Sequence, residues 1–266
     1  MAVLRAIGRR PTLWVELTVA AAWLALLLGE GIARGYGGAV VAGSWQSGPL
    51  WICTTGLGAI GHGASHGAGA APSASAPLLA GTPMWGLMAL AMMVPTAMPA
   101  VGHVAGKSLY WRRRRAAAEF LAVFLGLWTA FGLLVLGPLA SWGPARAGFA
   151  LPIALAAAAM WQLTPLKLRA LRACHRSRPL PPRGWRATRG VADFARHNGT
   201  ACLASCWAMM AATAVSGPGR LLWMGALTGV MTVEKLSDRP RTASRRGAAV
   251  LAAAAAGVAA AVLLPQ

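Results

Sequence analysis

Long apolar runs separated by short arginine-rich stretches are the feature that most limits what this chain can fold into. A run of about 17–25 apolar residues crosses the hydrocarbon layer of a bilayer as a helix. Seven stretches qualify, roughly 13–33, 78–101, 117–140, 148–166, 200–217, 219–236 and 247–264. In lipid the backbone polar groups must be satisfied within each segment, which makes helices the expected form. The fold expected is therefore all-α, a polytopic transmembrane bundle of about seven helices, with residues 1–266 as a single integral membrane domain. Composition agrees: 57% of residues are apolar and 12% charged, about half the charge of a soluble domain.

Charge gives the orientation. The chain carries 25 Lys and Arg against 6 Asp and Glu, a net charge of +19. A nucleic-acid ligand would require these residues gathered on one folded face with a reading motif. Instead they occur in short runs between apolar stretches, such as Arg112 to Arg115, so no nucleic-acid partner is expected. Only Arg34, Arg146 and Arg220 fall on the side opposite to all the others. The positive-inside rule puts the N-terminus and the basic loops in the cytoplasm, against the anionic inner leaflet of the bilayer. The first apolar run, followed by Val40-Val41-Ala42 before Gly43, also suits a cleaved signal peptide. Cleavage would leave six helices; an uncleaved helix is the favoured form.

Two segments interrupt the apolar pattern. Residues 34–77 form an outer loop whose Gly/Ala-rich part should be flexible. Residues 167–199 form a basic cytoplasmic loop whose second half could be an amphipathic helix on the membrane surface. Of the four cysteines only Cys53 is outside, so no disulfide framework is available there.

Departures from plain apolar helices locate the chemistry. Met84, Met88 and Met92 recur every four residues and share a helix face, with Met93 beside them and Pro95 just beyond. Cys202, Cys206 and Met210 repeat the spacing further on. Thiolate and thioether sulfurs are soft ligands that select Cu(I), so Met88, Met92, Met93, Cys202, Cys206 and Met210 are candidate ligands, with Cys174 as an inner acceptor. Packing explains the same stripes, since methionine fills apolar gaps and an uncharged cysteine packs as a small apolar residue. His62 and His66 are spaced as metal ligands on a helical turn, though they lie among glycines. Glu234 and Lys235 close an apolar run, where both side chains would ordinarily snorkel to water. Gln162, Thr164 and Pro165 put polar groups and a kink at the end of another. No nucleophile–base arrangement, zinc-protease helix or phosphate-binding loop occurs, and no enzymatic activity is expected.

Four motifs in order then resemble a bacterial family catalogued as predicted metal-binding integral membrane proteins, some of whose members are labelled copper chaperones. They are Met88 to Pro95, Gln162 to Lys167 leading to Cys174, Cys202 to Trp207 with Met210, and Trp223-Met224 followed by Glu234-Lys235. The family pattern commonly has further cysteines where this chain has Ala170 and Ser205. The resemblance implies a multi-pass protein of the bacterial cytoplasmic (inner) membrane that handles a soft metal, most plausibly copper. It would act as a carrier, insertion factor or transporter-like module, with other membrane subunits or a metal donor or acceptor protein as partners. The alternative is a scaffold or assembly subunit of a membrane complex, in which the sulfur stripes are only helix contacts.

Overall fold

The computed structural model describes residues 12–40, 75–140, 147–181, 183–216 and 219–264. His62, His66 and Cys53 lie outside these residues, as does most of the expected outer loop. The described residues form eight α-helices and no strand: α1 (Leu13–Val40), α2 (Ser75–Lys107), α3 (Arg113–Ala140), α4 (Ala147–Gln162), α5 (Pro165–Cys174), α6 (Gly184–Ala214), α7 (Arg220–Leu236) and α8 (Pro240–Leu263). Three helical segments, Thr82–Lys107, Tyr110–Val135 and Pro240–Leu263, are long and apolar enough to cross a membrane. A fourth span is possible if the bent pair α4–α5 counts as one.

The other expected spans differ for local reasons. The run at 148–166 breaks after Gln162, and α5 leaves α4 at 75°. Pro165 cannot donate to the Trp161 carbonyl, and the Thr164 hydroxyl takes that carbonyl at 2.8 Å while capping the new helix at Lys167 N. The basic loop expected over 167–199 is mostly helix. Its second half runs unbroken into the apolar segment as the 31-residue α6, which holds no proline and tolerates Gly190 and Gly199 in its interior.

The core is built on α2, which carries Pro83, Pro95 and Pro99 in its interior. Pro95 leaves the Ala91 carbonyl without its usual backbone donor, and the Trp23 indole of α1 donates to it at 3.0 Å. Trp85 of α2 donates to the Trp128 carbonyl of α3 at 2.7 Å. Gly132 permits that approach, since a Cβ there would lie 2.2 Å from the Trp85 indole nitrogen. α6 packs against α3, α4 and α5, while α4 pairs with α8 and α7 closes on α2, α6 and α8. Large apolar side chains such as Leu28, Leu134, Met160 and Leu222 remain exposed on the outside, a surface that water does not favour.

Candidate metal centre

Met88, Met92 and Met93 of α2 and Cys202, Cys206, Met209 and Met210 of α6 are all buried in one apolar core. Cys174, Cys202 and Cys206 are free thiols. α2 and α6 both pack on α3 and on α7, and a residue of α7 spans the space between them. Lys235 Nζ donates to Thr96 Oγ1 of α2 and to Cys202 Sγ of α6, each at 2.9 Å. Met92 and Cys206 each lie one helical turn from these contacts along their own helices. Cys202 and Cys206 lie one turn apart on the same buried face of α6.

Ser205 adds a hard donor beside the soft ones. Its hydroxyl bonds the Cys202 carbonyl at 2.8 Å and lies 3.3 Å from Cys206 Sγ. Cys174, at the end of α5, approaches the same place, sharing the lining of one cavity with Thr96 and Lys235. Asn198 donates to the Cys174 carbonyl at 3.1 Å and ties this helix end to α6. A small cavity of about 60 Å³ adjoins the cluster, with Cys174, His175 and Asn198 on one wall and Thr96 and Lys235 on another. Met209 faces elsewhere, its sulfur 3.7 Å from the Gln162 amide of α4.

The adjacent Glu234 projects about 100° round α7 from Lys235 and meets other partners. Its carboxylate takes Lys167 Nζ and Gln162 Nε2, each at 2.5 Å. Lys167 is fully buried and Glu234 2% exposed. The snorkelling expected of Glu234 and Lys235 is thus corrected: α7 ends inside the bundle, with α2, α5 and α6 around its last turn. Glu119 instead meets the basic run, with Arg112 at 2.8 Å and Arg115 at 2.9 Å. His103 contacts the Arg178 carbonyl at 3.0 Å and takes no place among the thiols.

Among the described residues no group of three or more His, Cys, Asp and Glu side chains is arranged to hold a metal. Two adjacent thiols nonetheless fit a soft ion that accepts few ligands, such as Cu(I). The architecture defines a helical protein with several membrane-length apolar helices and a buried thiol–ammonium cluster. A family model described as PpoB2, copper chaperone, matches residues 82–258, and the chain belongs to that family. The matched segment takes in every described residue of the cluster. No curated protein and no solved structure shows detectable similarity to the chain.

Proposed function

We propose that the protein is a non-enzymatic, multi-pass carrier of Cu(I) in the bacterial inner membrane, passing the ion between a donor and an acceptor protein. The observation that carries this reading is the pair of buried thiols, Cys202 and Cys206, on one face of α6 in a core lined by methionine. Soft sulfur donors away from water suit a monovalent soft cation and exclude competing hard ions. Cys174, at the half-buried end of α5 beside the small cavity, is the exchange ligand. Seven passes with a cytoplasmic N-terminus are supported by the distribution of arginine, which leaves only Arg34, Arg146 and Arg220 outside. On that topology Cys174 and His175 face the cytoplasm, and exchange takes place there.

The test is anaerobic loading of detergent-purified protein with Cu(I), followed by metal analysis. Wild type retains Cu(I) stoichiometrically after desalting. Cys202→Ser and Cys206→Ser each lose it while remaining folded and membrane-inserted. Ligation requires thiolate, so binding releases protons and weakens as pH falls. Wild-type protein that retains no copper would overturn the reading and leave the scaffold role standing.

A further inference from the structure

Lys235 is buried next to a thiol and, among the described residues, contacts no carboxylate. It is 7% exposed, and its ammonium is fixed by Thr96 Oγ1 and Cys202 Sγ. The nearest carboxylate in sequence, Glu234, is committed to Lys167 and Gln162. Glu119 is engaged by Arg112 and Arg115, and Asp193 pairs with Arg196 on an exposed part of α6. An isolated charge in a low-dielectric interior is strongly unfavourable unless another charge balances it. Thiolates formed at Cys202 and Cys206 on ligation would supply that balancing charge from the site itself.

We propose that Lys235 is a specificity-determining residue that sets the charge of the metal the Cys202–Cys206 pair accepts, favouring a monovalent soft cation over a divalent one. This deepens the metal-carrier reading and rests on it. Two ligating thiolates carry −2 and the ammonium +1, so an ion of +1 makes the buried cluster neutral. A divalent ion on the same two thiolates leaves a net +1; among the described residues the further thiol at the site is Cys174, on the cavity wall beside Lys235, which takes the ion only in exchange. The low dielectric amplifies that single charge, because Coulomb energies scale inversely with the effective dielectric constant. Ligand softness alone does not make this distinction, since zinc also binds thiolates well. Selection rests on the placement of the Lys235 side chain against Cys202 Sγ and Thr96 Oγ1.

The role predicts a reversal. Without the ammonium, two thiolates and a monovalent ion leave −1 in the interior, whereas a divalent ion is neutral. The experiment measures competitive binding of Cu(I), or redox-inert Ag(I), against Zn(II) on the purified full-length protein. Wild type, Lys235→Met, Lys235→Gln and Lys235→Arg are compared, each also in a Cys174→Ser background so that only the Cys202–Cys206 pair ligates, with thermal unfolding recorded for each. The expected result is that Met and Gln shift the monovalent-to-divalent affinity ratio towards Zn(II) by about tenfold or more, about 1.4 kcal/mol. Arg, which retains the charge, keeps the ratio near that of wild type. The Gln variant preserves a hydrogen-bonding side chain, so a shift common to Met and Gln and absent in Arg reports charge rather than packing. Variants that bind metal with an unchanged ratio would overturn the role of Lys235 while leaving the metal site intact. Wild type that binds neither ion would overturn the metal reading itself.

Discussion

Lys167 and Lys235 are both buried, both come from the ends of apolar stretches, and their surroundings answer their charge in different ways. Lys167 meets Glu234 at 2.5 Å, with Gln162 completing the carboxylate from α4. Lys235 meets a hydroxyl and a thiol. The first arrangement is closed, since cation and anion are both permanent and their hydrogen bonds tie α4, α5 and α7 together. The second is open, because thiols acquire negative charge when they ligate a metal. Consecutive residues of one helix, Glu234 and Lys235, therefore differ in setting: one closes an ion pair within the bundle, and in the proposed carrier the other answers the charge of the cargo.

Removing one member of the closed pair gives the largest effect that tests this contrast. Lys167→Met leaves the Glu234 carboxylate buried without its cation, which costs about 3–5 kcal/mol. We expect a large fall in the thermal midpoint of the purified protein, with much of it restored in the Lys167→Met/Glu234→Met double variant. Lys235→Met leaves only a neutral hydroxyl and thiol, so its effect on the midpoint should be much smaller. Equal losses at the two lysines would end the distinction between a lock and an open site.

Gly247 provides an intermediate effect on the lock alone. A Cβ there would lie 2.5 Å from Glu234 Oε1, 3.2 Å from Gln162 Nε2 and 3.3 Å from Val230 Cγ1. The carboxylate is pinned by Lys167 and cannot easily move aside. Gly247→Ala should destabilise by about 1–3 kcal/mol, as overpacking does. Metal stoichiometry should be unchanged, because Glu234 turns away from the thiols. Thermal unfolding and metal analysis of the same sample check both halves, and loss of metal without loss of stability would mean the two regions are not separate.

The sequence made some of this legible and concealed the rest. Apolar run length identified the all-helical architecture, and four-residue spacing placed Cys202 and Cys206 on one buried face. A kink at Pro165 was legible, because proline removes a donor, but it was placed at the end of a span reaching 166, whereas the helix breaks after Gln162 and Thr164 caps a new one. Burial of Glu234 and Lys235 was not visible, since a charged pair at a helix end usually reaches water. The available signal lay in other helices: Thr96 and Gln162 are isolated polar residues near the ends of apolar runs, and each partners one of these charges. Partners so far apart in sequence meet only through tertiary packing, which periodicity within one helix does not report. The continuity of α6 was hidden for a different reason. Arg, Asp and His over 186–197 read as a loop or surface helix, whereas one face of the same segment packs through Ala187, Val191, Phe194 and Ala195.

The smallest effect separates charge from position at the open site. Thr96 accepts from Lys235 at 2.9 Å and donates to the Met93 carbonyl at 2.8 Å. Thr96→Val keeps the branched shape and removes the hydroxyl, so the ammonium loses one of its two contacts. The expected cost is about 1 kcal/mol, the net worth of an ordinary intramolecular hydrogen bond. The ammonium itself remains, and Cys202 still accepts its other hydrogen bond. Charge balance across the loaded cluster is then the same as in wild type, so the preference for a monovalent ion should persist even where absolute affinity drops slightly. Competitive loading with Ag(I) and Zn(II), run beside thermal unfolding, reads both quantities. A shift in preference as large as that of Lys235→Met would show that the exact placement of the ammonium, rather than its presence, governs selection. A preserved preference with a small loss of stability would show that the fixed positive charge is sufficient.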